Sequence, residues 1–251
     1  MQRSYVLSLV YAITLPFIYI VCQFNRQFMS AFSNVSLLAT AGAAITMSFW
    51  ILDKYANHNP KPMFAMAWVG LASGISLWFL GTLAWTINVP VLQINSYFSL
   101  SDILYLSGYF PLFLAAFLIL KLFKSFFSKK ILLLQFGVAV GLSAVVSYVL
   151  ILPMFYSGKD PLTKALSAAF PIFDLGLFTA TFAIFLVFFE GALGKAWFFL
   201  TVGILMNIAA DLLFTYVWMQ NFYYRGHPLE LFWLWGYVTF LLGLYIHKRE
   251  L

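Results

Sequence analysis

The chain has 251 residues, 63% hydrophobic and only 9% charged, with a mean hydropathy of +0.93. Soluble domains carry about a quarter charged residues, so this composition excludes a soluble enzyme, a disordered chain and a free nucleic-acid binder. The net charge of +6, from 14 Lys+Arg against 8 Asp+Glu, fits basic loops facing anionic lipid.

Eight stretches approach the ~20 apolar residues that a helix needs to cross hydrocarbon. They lie at roughly 4–22, 33–52, 64–87, 101–121, 131–152, 165–189, 196–219 and 229–247. Membrane barrels are built from alternating strands of about ten residues, and these long continuous runs are not that. The predicted fold is all-α, a polytopic transmembrane helical bundle forming one integral membrane domain over residues 1–251.

The first segment follows Arg3, as a signal peptide would. Its apolar run is too long and no small-x-small cleavage pattern follows, so it reads as a retained helix. Val21 before Cys22 also argues against a lipoprotein site, and a single cysteine excludes an internal disulfide. The boundary at Gln23–Gln27 is weakly marked. Asp53–Pro62 is a polar loop bounded by proline, and Lys121, Lys124, Lys129 and Lys130 flank another loop. Ser157–Pro161 reads as a turn followed by a helix start. Glu190–Lys195 must make a whole turn between the sixth and seventh spans.

With the N-terminus inside, that side holds ten Lys and Arg residues and the other side four. This bias predicts a multi-pass cell-membrane protein with both termini cytoplasmic. Gly42, Gly70, Gly74, Gly81, Gly108, Gly137 and Gly141 are expected at close helix contacts within the chain. No internal repeat stands out. Pro111 and Pro171 interrupt the fourth and sixth spans, which do not correspond in two four-helix halves.

Carboxylates inside hydrocarbon are costly and call for a reason. Asp102 opens the fourth span, Asp174 lies about nine residues into the sixth, and Asp211 about eight from the outer end of the seventh. At 1.5 Å per residue the latter two lie about 12–14 Å below the outer rim. Tyr105 and Tyr109 follow Asp102 along its helix. Asn207 is one turn from Asp211 on the same face, Thr215 and Tyr216 continue outward, and Trp233, Trp235 and Tyr237 enter from the eighth span. A few polar groups among aromatic walls make the usual chemistry of a small-ligand site. The candidate ligand-binding residues are therefore Asp102, Tyr105, Asp174, Asn207, Asp211, Tyr216 and Trp235. Each has a plainer reading. Asp102 serves as a helix cap, Asp174 and Asp211 as interhelical clamps, and the outer Trp and Tyr as an interface belt.

No catalytic or cofactor motif surfaces. Every lysine lies in a loop or at a helix end, which excludes a retinal Schiff base, and His58, His227 and His247 fall near boundaries on both sides. His-Glu-x-x-His is absent, and the two aspartates lack the motifs of aspartyl intramembrane proteases.

The run Ser99-Leu100-Ser101-Asp102-Ile103-Leu104-Tyr105-Leu106-Ser107-Gly108-Tyr109-Phe110-Pro111-Leu112 continues with Asp174, then Ala210-Asp211-Leu212-Leu213-Phe214, then Leu231-Phe232-Trp233-Leu234-Trp235-Gly236-Tyr237. Over about the last 150 residues this order resembles the seven- or eight-span membrane sensor module that precedes histidine kinase, PAS or diguanylate cyclase domains in archaeal and bacterial signalling proteins. The resemblance implies a sensor or transducer with an outer-half site. No output domain follows His247–Leu251, so it also implies a separate membrane or cytoplasmic signalling partner. Three functions stay open: a non-enzymatic sensor binding a ligand or partner, a proton-coupled transporter, and a structural subunit of a larger membrane complex. The lipid bilayer is the partner common to all three.

Overall fold

The computed structural model describes residues 2–58, 61–88, 99–158, 160–189 and 194–250. Among these, every regular element is helical. They are α1 (Gln2–Cys22), α2 (Arg26–His58), α3 (Pro62–Asn88), α4 (Leu100–Leu122), α5 (Lys129–Tyr156), α6 (Pro161–Phe189), α7 (Lys195–Met219) and α8 (Glu230–Glu250). A 3-10 turn at Lys124–Phe126 links α4 to α5. Each of the eight apolar stretches falls on one helix, so the chain is a helical bundle. Six helices, α2 to α7, are long and apolar enough to cross a membrane, and α1 carries a shorter apolar stretch, Val10–Cys22. Exposed rows such as Ile13, Phe17 and Ile20 on α1, or Leu133, Phe136 and Val140 on α5, are faces that hydrocarbon solvates. α8 differs: no residue from Leu229 to Lys248 is exposed.

Local chemistry moves several boundaries. α2 starts at Arg26 rather than near residue 33, because Asn25 caps it: the Phe28 N–H donates to Asn25 Oδ1 at 3.0 Å. The polar run after Asp53, expected as a loop, is helical as far as His58, and no breaker precedes Pro60. α5 continues through Pro153. Pro has no N–H and crowds the preceding turn, and the helix absorbs this by widening to a π turn over Ser147–Ile151, where the Leu152 N–H reaches back to the Ser147 carbonyl. The turn within Glu190–Lys195 and the loop around Asn88–Ser101 fall largely outside the described residues, as does Lys159.

The chain divides into two compact units. Unit 1 comprises Met1–Lys54 and Phe188–Leu251, and unit 2 comprises Tyr55–Val187. In unit 1, Leu15, Tyr19, Met29, Leu231 and Leu234 form one buried cluster, and Ala196, Leu242 and Ile246 another. α7 and α8 approach backbone to backbone: a Cβ on Gly203 would lie 2.8 Å from the Gly236 carbonyl oxygen. In unit 2, α3 and α4 pack in the same way, and a Cβ on Gly70 would lie 2.7 Å from the Pro111 carbonyl oxygen. The expected contacts at Gly70, Gly74, Gly81 and Gly108 are therefore present. Those at Gly137 and Gly141 are not, since among the described residues a Cβ on either would meet nothing within 4 Å. Their face of α5 is open, so the spacing alone did not bring a partner helix.

Candidate functional site: carboxylates held by aromatic donors

In unit 2 the three candidate residues separate. Asp102 caps α4: its Oδ2 accepts from the Ser99 N–H at 2.8 Å and from Ser99 Oγ at 2.7 Å, in a capping box. Tyr105 donates to Thr82 Oγ1 at 3.2 Å, tying α4 to α3. Asp174 on α6 is fully buried, and its Oδ1 accepts from the Tyr109 hydroxyl at 2.5 Å. Tyr109 is itself wedged edge-on to Trp78 and stacked on Phe173, both at 5.5 Å between centroids. Asp174 thus has an aromatic donor from α4, and Asp102 faces its own helix end.

In unit 1 the candidates also take different partners. Asp211 Oδ1 accepts from the Trp233 indole N–H at 2.7 Å, linking α7 to α8. Asn207, one turn from Asp211 on the same face, instead donates to the Gly203 carbonyl one turn back at 2.8 Å and packs against Gly236. Trp235 donates to the Ala12 carbonyl of α1 at 3.1 Å. Tyr216 is 43% exposed and points outward. Of the seven candidates, Asp174 and Asp211 therefore carry interhelical hydrogen bonds to aromatic donors at a carboxylate.

A third carboxylate, absent from the sequence expectation, dominates the same end of unit 1. Glu230, in the first turn of α8, is buried. Its Oε1 accepts from the Tyr223 hydroxyl at 2.8 Å and from the Gly226 N–H at 2.9 Å. Its Oε2 accepts from Ser33 Oγ of α2, which in turn accepts from the Tyr19 hydroxyl of α1 at 2.7 Å. The 220–229 loop that supplies these donors is built by two left-handed residues, Asn221 (φ 58°) after α7 and Gly226 (φ 76°). Gly226 is also where the backbone meets Met29, and its carbonyl accepts from Gln23 Nε2 at 2.8 Å. Tyr224 completes the tie by donating to Gln23 Oε1 at 2.7 Å, under the guanidinium of Arg26 at 4.5 Å.

Asp211 and Glu230 are joined by rings. Phe214 lies 5.6 Å from Trp233 and 4.8 Å, edge-on, from Tyr223, and Trp218 lies 5.7 Å from Tyr223. The result is an aromatic wall with a carboxylate at each end, one held by an indole and one by a phenol. In the loop, burial lowers the affinity of Arg225 for its proton and makes the His227 imidazole harder to protonate. The His227 Nδ1 accepts from the Leu229 N–H at 3.1 Å. In unit 2, two hydrogen bonds from Thr163 hold the exposed Asp160 carboxyl below the usual carboxylate range.

The Glu230 signal in the sequence is the density of polar and aromatic residues in Tyr223-Tyr224-Arg225-Gly226-His227 just ahead of it. The arrangement can hold a hydrogen-bond donor or a cation, or exchange a proton. Comparison with protein-family models, curated proteins and solved structures finds no match to this chain, so its own residues carry the functional reading.

Proposed function

We propose that the chain is a non-enzymatic, multi-pass cell-membrane module of the sensor or transducer type. The responsive element in this reading is Asp211 with Trp233 and the adjoining rings. The supporting observation is the Trp233–Asp211 hydrogen bond between α7 and α8. A carboxylate in a membrane-crossing helix, met there by a neutral indole donor, gains from a proton or from a ligand ammonium group. Either event competes for the oxygen that Trp233 holds. The change is then felt on α8, the enclosed helix of unit 1. Both termini are cytoplasmic in this reading, which places the Asp211–Glu230 wall toward the outer side and the end of α8 toward a signalling partner.

The test uses protein in lipid nanodiscs, a pH series and a panel of alkylammonium and guanidinium compounds. Wild-type protein is expected to gain thermal stability with at least one of them, with the gain lost in Asp211→Asn and reduced in Trp233→Phe. Equal responses in wild type and both variants contradict the proposal. A second carboxylate held by an aromatic donor, Asp174 with Tyr109, supports an alternative in which the chain is a proton-coupled transporter. That reading requires pH-driven flux in liposomes that Asp174→Asn abolishes.

A further inference from the structure

At the other end of unit 1, away from the carboxylates, cations gather around one ring. Trp50 and Lys54 stand one turn apart on the same face of α2, and Lys54 Nζ lies 5.3 Å from the centroid of the Trp50 ring. Lys248, in the last turn of α8, places its Nζ 3.9 Å from the same centroid. The two ammonium groups are therefore no more than about 9 Å apart, close to one Debye length at physiological salt. Arg249 lies over Tyr245 at 5.0 Å on the same turn of α8. Lys195 opens α7 at this end too, since Trp197 meets His247 at 6.5 Å. Asp53 is exposed next to Lys54 in the chain. Grouped cations at a helix end attract an anionic surface.

We infer that Trp50, Lys54 and Lys248 bind the phosphate of an anionic phospholipid headgroup. Three features favour a lipid over a free phosphate ion. Trp50 sits in the last turns of a helix long and apolar enough to cross a membrane, the depth at which tryptophans anchor. Both lysines are half-buried, and long lysine side chains at an interface can keep their charge at headgroup level. Phe49, next to Trp50, is 54% exposed and offers an apolar surface for the acyl chain that a headgroup brings with it. The lysines supply charge and the indole N–H supplies a donor for a phosphate or ester oxygen. With the termini inside, this end faces the cytoplasmic leaflet, where anionic lipids concentrate. The inference does not depend on the Asp211–Trp233 reading, because its residues and its probe are different.

The test compares melting temperatures of the full chain in phosphatidylglycerol and phosphatidylcholine nanodiscs, each variant referred to itself so that general destabilisation cancels. Wild-type protein is expected to melt higher in phosphatidylglycerol and to retain that lipid in native mass spectrometry. Lys54→Gln with Lys248→Gln should remove most of the preference, about fivefold in lipid affinity per lysine. Lys54→Arg with Lys248→Arg should keep it, as should Lys129→Gln with Lys130→Gln in unit 2. A Lys54→Gln/Lys248→Gln variant with the full preference would overturn the site. Equal protection of the phosphatidylcholine sample by inorganic phosphate would overturn the assignment to a lipid.

Discussion

Glu230 shows how a single charge is kept inside an apolar bundle. It has donors on both oxygens, drawn from α2 and the 220–229 loop, and through Ser33 it reaches α1. Removing it strands those donors, so Glu230→Ala should cost about 2–3 kcal/mol of unfolding free energy, and Tyr223→Phe about 1 kcal/mol. Denaturant unfolding in detergent, followed by helical circular dichroism, measures both. Equal stability of Glu230→Ala and wild type would show that the network carries no net energy. His227 adds a pH dependence. Burial lowers its folded pKa below the ordinary 6.5, so the unfolded chain takes the proton first. Its contribution is therefore present above about pH 6.5 and is lost as pH falls from there toward the folded pKa. His227→Ala should flatten that part of the stability profile.

At the scale of elements, glycines separate packed seams from open faces. Gly203 is pressed against the Gly236 carbonyl and Gly70 against the Pro111 carbonyl, whereas Gly137 faces open space. Gly203→Ala and Gly70→Ala should each lower stability by about 1–3 kcal/mol through overpacking. Gly137→Ala should leave stability unchanged or raise it by up to about 1 kcal/mol, as alanine favours helix. Thermal unfolding of the three variants side by side decides this, and a large loss at Gly137 would mean that its face is covered. These seams mark how far the sequence could be read. The helices are visible as apolar runs, and six of them are long and apolar enough to cross a membrane, because length and composition are local properties. Asp174 and Asp211 stand out for the same reason, since a charge in such a run is expensive wherever it points. Their partners depend on register, which is not local. Trp233 and Trp235 look equivalent in sequence, but two residues apart on a helix they face different neighbours, Asp211 of α7 and Ala12 of α1. Asn207 has the right spacing to reach Asp211, but its amide turns back to Gly203, with Gly236 packed against it. Glu230 lies in the first turn of α8, and one of its donors, Ser33 of α2, stands 197 residues away in the chain.

For the whole molecule, the distribution of charge links topology to function. In unit 1, Lys54 and Lys248 gather around Trp50, and the carboxylates of Asp211 and Glu230 are held by Trp233 and Tyr223. The loop charges predict that both termini lie inside. Reporter fusions at each terminus should therefore be active only as cytoplasmic reporters, and a periplasmic-type signal from either would reverse the assignment of sides. In the proposed function Asp211 is a responsive group and not a permanent clamp. Infrared difference spectra of the protein in nanodiscs, stepped between about pH 9 and pH 4, test it most directly. Wild-type protein should show a protonated-carboxyl stretching band that is missing in Asp211→Asn, with a change in indole emission that is missing in Trp233→Phe. Spectra of wild type and Asp211→Asn that coincide over the whole range would contradict it and leave Asp211 as a structural tie between α7 and α8.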